Sequence, residues 1–189
     1  MKIWKLITVL AVAALLTGCD DPFEFRWEES PLESTLYSLD REELYTPSGY
    51  NLLERRAVVI ESPTTEGRWD FALDRRDGAM YLLPPRSLNV IVDGRPSRAG
   101  IAPIPQTTFE DVREAPADTL LYTTREPVPL ELGTVYVIRT FEQGGRFGQR
   151  CFFYGKVEPL EIDLERGALL FKHDVSPVCN DRRLVPPGS

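Results

Sequence analysis

Alternating apolar and polar positions are the main structural signal in this sequence, and they first become clear in residues 69–83. Trp69, Phe71 and Leu73 point to one face of an extended chain, and the side chains between them point to the other. Residues 74–78 have the composition of a tight turn, and Ala79–Leu83 is again apolar. The pattern therefore predicts a β-hairpin across residues 69–83.

The last third of the chain contains the longest series of predicted strands. Residues 134–141 alternate strongly, residues 151–157 and 160–164 follow, and Ala168–Val175 closes the series after a turn at Gly167. The apolar positions change parity near Pro159, which has no N–H group to contribute to a strand ladder. We therefore expect a β-bulge at Pro159. An earlier β-branched segment, residues 57–61, predicts one more strand.

Two other regions predict different local structure. In residues 34–45 the leucines 36, 39 and 44 fall on one side of a helix that Ser34 would cap. Residues 84–118 contain six prolines, which predicts a loop-rich region with at most a short strand near residues 88–92 and a helical turn at residues 109–112. Together these elements predict an all-β fold, either an antiparallel β-sandwich or an open barrel, with one short N-terminal helix.

The first nineteen residues have the composition of an export signal. Lys2 and Lys5 precede an apolar run of residues 6–16, which is shorter than the roughly 20 residues that cross a bilayer as a helix. The run ends in Leu-Thr-Gly-Cys at residues 16–19, which resembles the lipobox of bacterial lipoproteins. That resemblance implies cleavage after residue 18 and lipid attachment to Cys19, so that the chain is anchored to a membrane of the bacterial cell envelope, facing the periplasm or the cell surface.

The density of acidic residues distinguishes a predicted tether from the predicted folded domain. Residues 19–31 carry five acidic side chains and predict a lipidated acidic tether, although the alternation of Phe23, Phe25 and Trp27 would also suit an edge strand. Residues 32–189 are expected to form a single β-rich domain. The formal net charge of the whole chain is −7, and removal of the two lysines of the leader makes it more negative. An acidic chain of this kind argues against nucleic acid as a partner.

Two cysteines remain after Cys19, namely Cys151 and Cys179. An even number in an exported protein predicts a disulfide, and two buried free thiols are the alternative. In an antiparallel hairpin, opposed residues share one midpoint. The midpoint of Cys151 and Cys179 is residue 165, which agrees with the turn predicted from Gly167. A disulfide across a long terminal hairpin follows from this agreement.

Candidate chemistry is sparse. His173 is the only histidine and alternates with Leu169, Phe171 and Val175, which favours a half-buried strand histidine over an axial ligand to haem or a metal. A single histidine excludes HExxH zinc sites built from this chain alone. Acidic pairs such as Asp74/Asp77 and Glu161/Asp163 look solvated, yet a carboxylate pair across a cleft would suit a hydrolase. Four aromatic side chains suit either a core or a ligand groove: Tyr37, Tyr45, Tyr50 and Trp69.

The order of several short motifs is similar to that of the HmuY-type envelope lipoproteins. The motifs are Trp-Asp-Phe-Ala-Leu at 69–73, Phe-Glu-Asp-Val at 109–112 with Ala-Pro at 115–116, Val-Tyr-Val-Ile-Arg-Thr at 135–140, Tyr-Gly-Lys-Val at 154–157, and the strand at 168–171. The resemblance implies a β-rich fold and haem held by His or Met side chains of the middle loops. Residues 84–118 contain neither His nor Met, so Met80 and His173 are the remaining candidates, and neither lies at a matching position.

Three functional hypotheses follow. The first is a membrane-anchored, non-enzymatic module that binds an envelope protein or a small ligand without a cofactor. The second is capture of haem, and the third is hydrolysis by a carboxylate pair. The lack of catalytic motifs favours the first hypothesis.

Overall fold

The computed structural model describes residues 27–145 and 148–188, and most of its regular structure lies in two antiparallel β-sheets. Sheet 1 has the strand order β1, β14, β13, β10, β8, with the bounds β1 Leu32–Tyr37, β14 Ala168–Val175, β13 Tyr154–Asp163, β10 Thr134–Arg139 and β8 Gly100–Pro105. Sheet 2 has the order β3, β2, β4, β5, β9, with the bounds β3 Arg56–Val58, β2 Gly49–Asn51, β4 Phe71–Arg76, β5 Ala79–Leu83 and β9 Val128–Pro129.

Short elements lie between the strands of the two sheets. Two pairs of two-residue strands are β6 Ile91–Val92 with β7 Arg95–Pro96, and β11 Gln143–Gly144 with β12 Arg150–Cys151. Short 3-10 helices are found at Pro63–Thr65, Pro85–Leu88 and Thr119–Leu121. Within the described ranges, no helix has the length and apolar character needed to cross a membrane.

The main core lies between the two sheets, as expected for a β-sandwich. Sheet 2 contributes Tyr50 and Phe71, sheet 1 contributes Tyr136 and Phe171, and all four side chains are buried. The rings of Phe71 and Phe171 meet edge-on with their centroids 5.9 Å apart. The structure therefore confirms the predicted all-β class, and the two inward faces show the alternation that the sequence displays.

The predicted N-terminal helix is wrong, because residues 32–37 form strand β1 and pair with β14. Leu36 lies opposite Leu169 and is fully buried in the main core. Leu39 packs in a different cluster, on the outer side of sheet 2, and Leu44 is exposed. The leucines therefore do not share one face: Leu36 packs in the main core and Leu39 packs outside sheet 2. Pairing with β14 stabilises a strand here in spite of the helical spacing.

The proline-rich region is less irregular than its composition predicts. Strand β8 contains Pro103 and Pro105, and it is the edge strand of sheet 1, where a residue without an N–H group is tolerated. Residues 108–111 form a hydrogen-bonded turn, not a helix. The buried Lys156 holds this turn against sheet 1, since its Nζ donates to the carbonyl oxygens of Phe109 (2.7 Å) and Val112 (3.1 Å).

Both predicted hairpins are confirmed. Strands β4 and β5 are joined by Asp77 and Gly78, whose φ angles of 50° and 78° are those of a two-residue type I′ turn. Strand β13 pairs with β14, and the register shifts between Pro159 and Glu161, where the bulge was expected. Before the bulge the pairs have their midpoint at residue 165, as Val157 opposite His173 shows. Cys151 and Cys179 continue this register as a disulfide, with their Cα atoms 5.0 Å apart.

Candidate functional site

A cleft with an excess of arginine lies beyond one end of sheet 1, and we call it the arginine cleft. Its volume is about 320 Å³. It is bordered by three basic and two acidic residues, so its sign is opposite to that of the whole chain. The lining residues are Val92, Asp93, Arg95, Pro96, Ser97, Arg98, Glu142 and Arg150.

Local structure explains how the arginines come together. Asp93 and Gly94, with φ angles of 51° and 74°, form the tight turn of the β6–β7 hairpin and place Arg95 at its exposed end. Arg98 lies just before β8 and Glu142 shortly after β10, and these two strands are neighbours in sheet 1. Arg150 lies in β12, next to the disulfide.

Glu142 organises the charged rim of the cleft. One carboxylate oxygen lies 3.3 Å from Arg98 and the other lies 3.1 Å from Arg150. Both guanidinium groups remain more than half exposed, whereas the Glu142 side chain is mostly covered. One carboxylate therefore orients two cations, and both cations keep donors that face solvent.

Below the rim, aromatic rings and guanidinium groups alternate. The guanidinium groups of Arg98 and Arg139 lie 5.3 and 5.2 Å from the centroid of the Phe152 ring. Arg139 also lies 5.3 Å from the centroid of the Tyr122 ring. Such stacking holds the guanidinium planes in fixed positions.

Arg139 is the buried member of this stack, with only 7% of its surface exposed. Its NH2 group donates to the carbonyl oxygen of Arg98 at 3.1 Å, and its Nε has no hydrogen-bond partner. Burial lowers the pKa of its guanidinium from the usual value. No carboxylate forms an ion pair with Arg139 among residues 27–145 and 148–188, so this cation adds positive charge next to Arg98, which lines the cleft.

Asn180 and the disulfide fix the segment that carries Arg150 and Phe152. The backbone N–H of Phe152 donates to the side-chain oxygen of Asn180 at 2.9 Å, and the backbone N–H of Asn180 donates to the carbonyl oxygen of Phe152 at 2.8 Å. The side-chain amide of Asn180 also donates to the carbonyl oxygen of Arg150 at 2.9 Å. Cys151 lies between these two residues and is bonded to Cys179. The wall of the cleft is therefore held by the C-terminal segment together with the short β11–β12 pairing.

The histidine predicted as a strand residue is buried more completely than expected. His173 is fully buried, and its Nε2 lies 2.7 Å from the hydroxyl of Tyr50 and 3.1 Å from that of Ser34. Its Nδ1 has no hydrogen-bond partner. Burial, together with the positive charge of Arg55, lowers the pKa of His173 to about 4, so the ring is neutral at physiological pH.

Met80 is also a core residue, with 2% of its surface exposed. A haem group could contact Met80 or His173 only if the two sheets separated, because both side chains are enclosed by the core. Of the four aromatic candidates for a groove, Tyr50 and Trp69 are core residues, whereas Tyr45 is exposed.

Asp70 is a buried carboxylate that the sequence analysis did not single out. It is completely buried, and its two oxygens accept hydrogen bonds from the backbone N–H groups of Leu52 (2.7 Å) and Phe141 (2.8 Å). Burial raises the pKa of this carboxyl to about 7 despite the two donors. Because Leu52 follows β2 and Phe141 follows β10, Asp70 ties the two sheets together at the end where the arginine cleft lies.

One acid of each predicted pair forms an ion pair with an arginine. Asp74 lies 2.6 Å from Arg76 and is buried, so its predicted solvation is wrong, whereas Asp163 lies 3.6 Å from Arg166 and is partly exposed. In the described part of the chain, no group of three or more His, Cys, Asp or Glu side chains is arranged to hold a metal ion. A larger depression of about 560 Å³ at the opposite end of the sandwich is lined by more acidic than basic side chains, in keeping with the sign of the whole chain.

The predicted leader, Cys19 and most of the acidic tether lie outside the described residues. The arginine cleft itself could not be recognised in the sequence, because Glu142 and Arg150 lie more than 40 residues beyond the 92–98 segment that they meet, and none of these residues belongs to a local motif. No protein-family model matches the chain, and comparison with curated proteins found no match either.

Proposed function

We propose that this chain is a lipid-anchored protein of the bacterial envelope whose β-sandwich binds an anionic ligand in the arginine cleft without transforming it. The observation that carries the proposal is the stack of Arg98, Phe152 and Arg139 beneath a rim that also holds Arg150. Guanidinium groups match carboxylate and phosphate oxygens with two parallel hydrogen bonds. Arginines that are already fixed by rings and by Glu142 lose little entropy when an anion binds.

The two side chains best suited to acid–base chemistry, His173 and Asp70, lie in the core and away from the cleft, which favours binding over catalysis. His173 and Asp70 have strongly shifted pKa values, which often marks a catalytic site. Both are enclosed in the core, however, and both form hydrogen bonds that join the two sheets. Their perturbed pKa values are explained by burial in the sandwich core.

Ligand binding is tested by calorimetric titration of the full chain with inorganic phosphate and with citrate. We expect the double substitution Arg98→Gln with Arg150→Gln to weaken binding at least tenfold, because it removes two of the three arginines of the cleft, the two that Glu142 orients. The matched control is Arg76→Gln with Arg166→Gln, which removes two surface arginines that also pair with an acid but lie away from the cleft. Equal affinity of the two variants, or no binding of either anion to the wild type, would refute the proposed site.

The anchor is tested separately. Expression of the full chain in a bacterium with radiolabelled palmitate should label the wild type and place it in the membrane fraction. Cys19→Ala should abolish the label. Persistent labelling of the Cys19→Ala variant would exclude this cysteine as the site of lipid attachment.

A further inference from the structure

We propose that the ligand of the arginine cleft is the phosphate of an anionic lipid headgroup in the same membrane that holds the anchor. The inference rests on the proposed function, since it requires both the lipid at Cys19 and a cleft that binds anions. It adds the chemical class and the source of the ligand. The observations that carry it are the direction of the strands and the position at which the chain reaches the sandwich.

The strand register places the start of β1 and the arginine cleft at the same end of sheet 1. Leu32, the first residue of β1, lies opposite His173 near the end of β14. In the same direction along the sheet, β10 ends at Arg139, which lies opposite Gly100 at the start of β8. Arg98 and Glu142 lie just beyond these strand ends, so the cleft and the N-terminal tether are at the same end of sheet 1, near its opposite edges.

Contacts join the two regions across this end. The backbone N–H of Ser30 donates to Asp174 at 3.0 Å, and Arg55 contacts both the Ser30 carbonyl oxygen and, at 2.5 Å, Asp174. Glu54, the neighbour of Arg55, lines a small cavity together with Glu142, and Glu142 also lines the arginine cleft. The point where the tether reaches the domain is therefore separated from the cleft by one hairpin tip.

The tether is short enough to keep this end near the membrane. Ten residues lie between Cys19 and Ser30, and the chain between their Cα atoms spans at most about 40 Å when fully extended. A cleft held within that distance meets lipid headgroups at a high effective concentration, so a weak affinity for each phosphate suffices for occupancy. A soluble anion lacks this high effective concentration, so it would need a tighter affinity to reach the same occupancy of the cleft.

The acidic tether makes the proposal specific. Five carboxylates between residues 20 and 29 oppose general attraction of this end to an anionic surface. Attraction must therefore come from close contacts of Arg95, Arg98 and Arg150 with phosphate oxygens, and not from the net charge of the end. We expect the interaction to weaken as salt is raised, since exposed charges are screened over about 8 Å at physiological ionic strength.

The experiment is arginine footprinting of the mature lipidated protein in nanodiscs. The reagent is phenylglyoxal, and modification of each arginine is read by mass spectrometry. One set of discs contains phosphatidylcholine alone, a second contains one third phosphatidylglycerol, and a third contains phosphatidylcholine with 10 mM inorganic phosphate in solution. Arg76 and Arg166, at the opposite end, report in the same molecule on general changes in access.

We expect Arg98 and Arg150 to be modified at least threefold more slowly in the phosphatidylglycerol discs than in the other two, with Arg76 and Arg166 unchanged. Equal protection by free phosphate would overturn the lipid source while leaving the proposed function standing. Protection in none of the three conditions would count against both proposals. Equal slowing of all four arginines would mean that the domain merely lies on the membrane, and would overturn the cleft as the contact.

Discussion

Replacing His173 by Gln should change how the stability of the protein depends on pH. In the folded protein the pKa of His173 is about 4, against 6.5 for an unburied histidine. Between these values the unfolded chain binds a proton that the folded protein does not, so folding stability is lost as pH falls from 6.5 to 4. The full difference corresponds to about 3 kcal/mol, because one pKa unit is worth about 1.4 kcal/mol.

Asp70 has the opposite effect over nearly the same range. Its folded pKa is about 7 and its ordinary value is 3.8, so the folded protein holds a proton that the unfolded chain has released. Stability is then lost as pH rises from 3.8 to 7. In the wild type the two contributions largely cancel, and His173→Gln should reveal the decline that Asp70 causes.

The assay is urea denaturation of the oxidised protein at four pH values from 4 to 7. The informative quantity is the unfolding free energy of His173→Gln minus that of the wild type, because other titrating groups cancel in it. We expect this difference to move in favour of the variant by about 3 kcal/mol between pH 6.5 and pH 4. Tyr50→Phe, which removes the hydroxyl 2.7 Å from Nε2 but keeps the imidazole, should shift the free energy by about 1 kcal/mol at every pH. A difference that stays constant from pH 4 to pH 6.5 would refute the reasoning.

Three further predictions concern other parts of the structure. Replacing both Cys151 and Cys179 by Ser should lower the unfolding free energy by about 3 to 4 kcal/mol, because their disulfide closes a loop across a sequence separation of 28 residues; a loss below about 1 kcal/mol in urea denaturation would contradict this. Gly78→Ala should cost about 1 kcal/mol through its positive φ alone, since a Cβ there meets no atom within 4 Å, while Gly144→Ala, which is equally open and has no positive φ, should cost little by the same assay. Haemin added to the full chain should leave the Soret band unshifted, because His173 and Met80 are enclosed; a red shift that His173→Ala with Met80→Ala abolishes would instead support haem capture.

Much of the fold could be predicted because its long hairpins are specified by neighbouring residues. The alternation of residues 69–83, the bulge at Pro159 and the midpoint shared by Cys151 and Cys179 each depend on contacts within a single hairpin. Strand β1 could not be predicted in this way, because its partner β14 lies more than 130 residues away in the chain. Strand β8 was missed since its prolines are tolerated only at a sheet edge, and edge position is a property of the whole sheet.

The candidate site could not be predicted from the sequence for the same reason, because segments that are distant in the chain form it. Arg98, Arg139 and Arg150 come from three different segments. Of the two rings that contact Arg139, Phe152 lies in the same segment as Arg150, and Tyr122 comes from a fourth segment. None of these residues belongs to a spacing that implies a site. His173 could be assigned to the inward face from its alternation with Phe171 and Val175, but its partners Tyr50 and Ser34 are supplied by other strands.

The contact of Arg55 with Ser30 and Asp174 has a mechanical consequence. If the proposed lipid at Cys19 anchors the chain, any pull between membrane and domain reaches the sandwich through Ser30. Asp174 belongs to sheet 1 and Arg55 to the hairpin of sheet 2, so tension at that point is divided between both sheets before β1 is pulled. Without this clamp, the same pull would peel an edge strand from β14 one hydrogen bond at a time.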